Sequence, residues 1–322
     1  MLSDLKSPFP WNGGKSRAAD LIWRYMGDPH NYVEPFLGSG AVLLGRPSKP
    51  SIETVNDSDG FVVNAFRSIK LNREETLRWA DNPVFENDLH ARHAWLKERR
   101  TVLTRQLEGD PEYHDSKIAG WWLWGIACWI GSDWCNENFH GPWEVIDSKL
   151  INTKSKDGIK RKIPLLGNSG VGVNKWRSQE DRKELLSAWF NQLSIRLENV
   201  RICCGDWSRV CTPSVTYKLG VTGILLDPPY SETADRYDKL YNNDDLQLSY
   251  KVKDWALING DNPKLRIALC GYEKEFDMPN SWECVSWDSR SGYSGQNKET
   301  NDNHKQERIW FSPYCIKPGK LF

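Results

Sequence analysis

The sequence predicts an α/β protein built on a mostly parallel β-sheet, and three observations carry that expectation. The last third alternates in α/β fashion, with strand-like runs at 200–204, 223–226, 265–270, 282–287 and 308–311 and a helical stretch at 250–258. Strands separated by helices imply parallel pairing through crossovers. Near the N-terminus, residues 31–44 read as a short strand, a glycine-bearing turn and the start of a helix. Finally, the apolar run Ile224-Leu225-Leu226 stops abruptly at Asp227-Pro228-Pro229-Tyr230. Two consecutive prolines cannot donate to a sheet ladder, so the strand ends there and its turn is stiff.

Taken in order, Gly13-Gly14 makes a tight turn and the spacing of Ala18, Leu21, Ile22, Trp23 and Tyr25 predicts a helix over 15–26. Trp11 and Lys15 flank a backbone free to approach a ligand closely. In the strand-turn-helix unit that follows, Glu34, Phe36, Gly38 and Gly40 stand where backbone amides and a helix N-terminus meet a ligand. The unit lacks the full dinucleotide fingerprint, and no residue set for hydride chemistry accompanies it, so a nicotinamide cofactor is not implied. A second strand over 51–55 leads to Asp57, nineteen residues beyond Gly38, about the distance at which an acid meets ribose hydroxyls. The same Asp57 also suits the N-cap of a helix over 61–69. An amphipathic helix follows over 85–108, with Leu89, His93, Leu96, Leu103 and Leu107 on one face. His90 and His93 read as ordinary helix residues.

Composition changes sharply at 121–135, which holds five tryptophans in fifteen residues. Directly afterwards, residues 149–177 hold eight basic residues against one acid and carry +7, although the whole chain is neutral. Lys154, Lys156, Lys160, Arg161, Lys162, Lys175 and Arg177 are the candidates for phosphate contacts. Aromatics beside basic residues suit DNA, through stacking and phosphate contacts, and equally suit a Trp-packed helical core next to a solvated loop. Cys128, Cys135 and His140 fit no standard metal spacing, so no metal is expected. Helical spacing returns from 178, with Ser178 and Asp181 placed like a capping box.

Hydrophobic residues are 39% and charged residues 27%, ordinary for a globular protein. No apolar run reaches the roughly eighteen residues of a membrane span, and residues 1–10 lack a secretory apolar segment. The eight scattered cysteines read as reduced thiols, and a cytoplasmic protein is the expectation.

Trp11-Asn12-Gly13-Gly14-Lys15, Val33 to Gly40, Asn56-Asp57 and Asp227-Pro228-Pro229-Tyr230 occur in one order. As a set they resemble the Dam-type N6-adenine DNA methyltransferases, over roughly residues 8–70 and 198–315. The resemblance implies a Rossmann-like sheet that binds S-adenosylmethionine (SAM) at its strand ends. It implies a discontinuous catalytic domain (1–85 and 178–322) and an inserted, mainly helical and loop target-recognition region (86–177). It further implies that Trp11 and Lys15 contact SAM, that Glu34 to Gly40 line its methionine part, that Asp57 holds its ribose, and that Asp206 and Asp227 border it. The implied partner is double-stranded DNA.

The chemistry of the motif agrees with that expectation. The Asp227 carboxylate and the Pro228 carbonyl can each accept one hydrogen of an exocyclic amine, and the Tyr230 ring can stack on a base flipped from its duplex. N4-cytosine methylation uses a similar geometry and stands as the alternative within the class. A catalytically silent DNA-binding protein on the same fold is the alternative outside it.

Overall fold

The computed structural model describes residues 5–11, 13–49, 51–129, 134–136, 143–146, 149–152, 172–176, 180–229, 247–273, 275–287 and 307–318. In chain order its strands are β1 (Asn31–Glu34), β2 (Ile52–Asp57), β3 (Trp143–Ile146), β4 (Lys149–Asn152), β5 (Val200–Cys204), β6 (Thr222–Leu226), β7 (Leu265–Tyr272), β8 (Glu283–Ser286) and β9 (Glu307–Phe311). The helices are α1 (Ala19–Met26), α2 (Ala41–Leu44), α3 (Gly60–Leu71), α4 (Arg73–Ala80), α5 (Glu86–Gly109), α6 (Ser116–Ile126), α7 (Arg182–Leu197) and α8 (Leu248–Asn259).

Among the described residues, seven strands form one sheet in the order β5-β2-β1-β6-β7-β9-β8. The first five pair in parallel, and β9 runs antiparallel to both β7 and β8. The expected mostly parallel α/β sheet is therefore present. β1 and β6 are buried along their whole length, as strands covered on both faces must be. Alternate residues serve different layers. Ile224 and Leu226 of β6 pack with Ile267, Leu269 and the α8 residues Val252 and Ala256. Leu225, Ala268 and Cys270 join the larger core with α1, α3, α5, α6 and α7.

The order of strands places the site. From β1 the chain moves outward to β2 and then β5, and it crosses back to enter β6 on the other side of β1. The carboxyl ends of β1 and β6 thus flank a topological switch point, where open α/β sheets bind ligands.

The helices differ from expectation in three places. α1 begins at Ala19, because the Ala18 N–H closes a turn on the Lys15 carbonyl at 3.0 Å and Lys15 itself reaches inward. α3 is capped by Asp59, whose side chain accepts the Phe61 N–H at 2.9 Å, so the cap reading of Asp57 is retired. The capping box at 178–181 does not form. Asp181 is the N-cap without a side-chain bond, Ser178 lies outside the described residues, and α7 is fastened instead by Arg182 to Asp81 and to the Val173 carbonyl.

Most of the tryptophan-rich segment is core. Trp122, Trp124, Trp129 and Trp134 are buried in one cluster with Phe9, Phe61 and Phe66. α5 lies beside α3: Thr104 abuts Gly60, and Arg67 donates to the carbonyls of Leu107 and Asp110. Its N-terminal half runs on past the start of α3, where His93 stacks on Trp129 and the helix meets β3.

Candidate functional site

At the carboxyl end of β6 the chain leaves the sheet at Asp227. The Lys15 ammonium sits 2.7 Å from Asp227 Oδ2 and donates to the Gly13 carbonyl at 2.9 Å. Gly13 has φ +76°, which lets the turn fold its carbonyl back over the amine. Lys15 is 5% exposed. Burial alone would push its pKa down, but the facing charges of Asp227 and Glu307 and the Asp227 hydrogen bond outweigh burial and hold the amine protonated.

One strand over, β1 ends at Glu34, which is 3% exposed and accepts the Tyr32 hydroxyl at 2.9 Å. Burial pushes its carboxyl up to about 8; the Tyr32 bond opposes the shift and the Asp227 charge adds to it. The turn that follows is shaped by its glycines. Gly38 has φ +48°, and a Cβ there would lie 2.7 Å from the indole nitrogen of Trp11. Trp11 therefore lies against bare backbone. Gly40 has φ +63° and is buried, closing the turn over Phe66.

The next strand end supplies Asp57. Its Oδ2 accepts the Gly38 N–H and its Oδ1 the Asp59 N–H, both at 2.9 Å. Burial pushes this carboxyl up to about 7, against the opposing bonds from the backbone of Asp59, Gly38 and Ser58. Asn56 ties three strand ends together by donating to the carbonyls of Pro35 (3.1 Å) and Gly205 (2.9 Å). At the end of β5, the exposed Asp206 caps a short 3-10 turn through the Ser208 N–H at 2.9 Å. The adjoining Trp207 stacks on Phe36, with ring centroids 6.1 Å apart.

Along the sheet edge, Asp206, Asp57, Glu34 and Asp227 thus follow one another at the ends of β5, β2, β1 and β6. Trp11, Lys15, Phe36, Gly38 and the buried Pro228 surround them. Tyr230, Lys154, Lys156, Lys160, Arg161, Lys162 and Arg177 lie outside the described residues. Lys175 is described; its ammonium stands 4.5 Å from the Trp176 ring centroid. The stapling Asn56, the Trp207 partner of Phe36 and the role of Asp59 were missed by sequence reasoning. Only the Asn56-Asp57 pair left a signal, because its polarity interrupts an otherwise apolar strand end.

Residues 11–114 match the family model of the D12 class N6 adenine-specific DNA methyltransferases, and the matched stretch takes in α5. The match is consistent with the Dam-type family and indicates a DNA adenine-N6 methyltransferase. No curated protein matches the chain.

Proposed function

We propose that this chain, whose residues 11–114 carry a D12 class N6 adenine-specific DNA methyltransferase domain, transfers a methyl group from SAM to N6 of an adenine flipped out of duplex DNA. The observation that carries the reading is the Lys15–Asp227 ion pair at the switch point, one strand from the Trp11–Gly38–Asp57 cradle.

The residues present fit SAM. Asp57 offers carboxylate oxygens to ribose hydroxyls, Trp11 and the bare Gly38 backbone form a flat wall, and the Phe36–Trp207 stack with Asp206 borders the place for an adenine ring. Glu34 lies where the methionine ammonium would stand, and that positive charge would draw its raised pKa down and make the carboxylate an anionic partner. When bound, the cofactor supplies an electrophilic methyl on a sulfonium.

The N6 amine is a poor nucleophile because its lone pair is delocalised into the ring. Asp227 accepts one amino hydrogen and the Pro228 carbonyl the other, which favours a tetrahedral nitrogen with its lone pair free for attack. Lys15 holds one oxygen of Asp227 and so fixes the orientation of the carboxylate. Tyr230 stacks on the flipped base. No cysteine is needed as a nucleophile, in keeping with buried thiols whose pKa values burial pushes up at Cys204, Cys211 and Cys270.

We place target recognition in the region 86–177. Because α5 and α6 are built into the shared core, phosphate contact falls to the basic run and the hairpin-like β3–β4 pair beyond them. The direct test is transfer of a labelled methyl from SAM to duplex DNA, with the modified nucleoside identified by mass spectrometry. Asp227→Ala is expected to abolish transfer while retaining SAM binding. Full activity of that variant sinks the mechanism.

A further inference from the structure

Beyond the motif residues, one side chain meets the Lys15 ammonium from the far edge of the sheet. Trp287 directly follows β8, which runs parallel to β6, so Trp287 stands at the same carboxyl edge as Asp227. The Lys15 ammonium lies 5.7 Å from its ring centroid, and the same ammonium is 2.7 Å from Asp227 Oδ2. That contact fixes the face of the ring. Its edge carries Nε1–H, a buried donor with no acceptor within reach among the described residues. A buried indole N–H ordinarily finds a partner, because leaving it bare forfeits the bond it made in water.

The sheet order says which ligand stands there. Asp57 and Asp206 end β2 and β5, to one side of Asp227, whereas β8 lies to the other side. The cofactor occupies the first side under the reading above, which leaves the second to the substrate. We infer that Trp287 is a base-positioning residue that donates its indole N–H to a ring nitrogen of the target adenine. The inference rests on the proposed N6-adenine chemistry. Adenine has acceptors at N1 and N7, either side of the carbon that bears the amine. A donor there fixes the rotation of the base in its plane, which hydrogen bonds to the amine and stacking leave adjustable.

The experiment uses the full chain, SAM and a duplex carrying the site that the wild-type enzyme methylates, with the target adenine replaced in turn by 7-deazaadenine and 1-deazaadenine. Wild type is expected to lose roughly five- to tenfold in kcat/KM on one analogue, the worth of one hydrogen bond. Trp287→Phe is expected to lose the same factor on adenine, to be indifferent to that analogue, and to bind SAM as wild type does. Trp287→His, which keeps a ring N–H, should regain part of the loss. The inference is overturned if wild type treats both analogues as adenine, if Trp287→Phe matches wild type, or if that variant loses SAM affinity instead. Should the variants fail to fold, the wild-type analogue series still decides. Absence of methyl transfer to unmodified DNA by wild type would instead count against the proposed function.

Discussion

Gly38 is the position where a single methyl group has most to disturb. Its φ of +48° disfavours any L side chain, and a Cβ would press on the Trp11 indole at 2.7 Å. Strain of this kind amounts to about 1–3 kcal/mol. Gly38→Ala is expected to weaken SAM binding roughly tenfold or more by calorimetry, and unchanged affinity would remove Trp11 and Gly38 from the cofactor wall. Glu34 carries a pH signature. Its folded pKa of about 8 lies above the ordinary 4.5, so the folded protein binds the extra proton. The stability it contributes is fully present below about 4.5 and is lost as pH rises through about 8. Thermal melting of the cofactor-free protein should therefore fall across that window, and Glu34→Gln should flatten the fall. Asp57, raised to about 7, adds to the same trend.

Between elements, the joint of α7 with β2 is a buried ion pair. Arg196 donates to both oxygens of Glu53, at 2.6 and 2.8 Å, and to the Leu43 carbonyl at 2.6 Å, while Arg46 approaches Glu53 at 3.4 Å. Arg196 and Glu53 are 6% and 2% exposed. Breaking such a pair strands a charge and costs about 3–5 kcal/mol. Glu53→Ala should lower stability to denaturant by that order. Replacing both partners with methionine should recover much of the loss, since no unpaired charge from the pair then remains. A fully additive double variant would show that the two side chains act independently. Arg100 makes a second joint, linking the cap Asp59 at 3.1 Å to the Cys135 carbonyl at 2.9 Å and so tying α3 and α5 to the chain that follows α6.

At the scale of the whole molecule, the proposed division of labour separates cofactor capture at the sheet edge from phosphate contact in the basic run. Neutralising Lys154, Lys156, Lys160, Arg161 and Lys162 with glutamine tests it. Each phosphate contact contributes roughly 0.9 to the slope of log K against log salt, so the slope of DNA binding should fall by about 4 to 5 if all five make contacts. SAM affinity should stay unchanged. A slope equal to wild type would move the phosphate contacts elsewhere on the chain.

The positions of the seven strands of the main sheet and their mostly parallel pairing were legible in the amino-acid sequence, whereas β3 and β4 were not. Short apolar runs bounded by turn residues marked the strands, paired prolines ended β6 at Asp227, and glycines marked the turns at Gly13 and Gly38. Most of the tryptophans were not legible, because an indole has the same residue neighbours whether it stacks on a base or fills a core. The buried placement of Trp122, Trp124, Trp129 and Trp134 follows from α5 and α6 packing on α3. The short α4 also escaped notice, since eight residues with so few apolar positions carry little periodicity. By itself the sequence determined that a carboxylate stands before two prolines at one strand end, since that is a local arrangement. Only the tertiary structure decided what faces that carboxylate. Lys15 from the N-terminal turn reaches it, and Trp287 from the far edge stands over that ammonium, through the order of strands in the sheet, and strand order is a product of long-range packing.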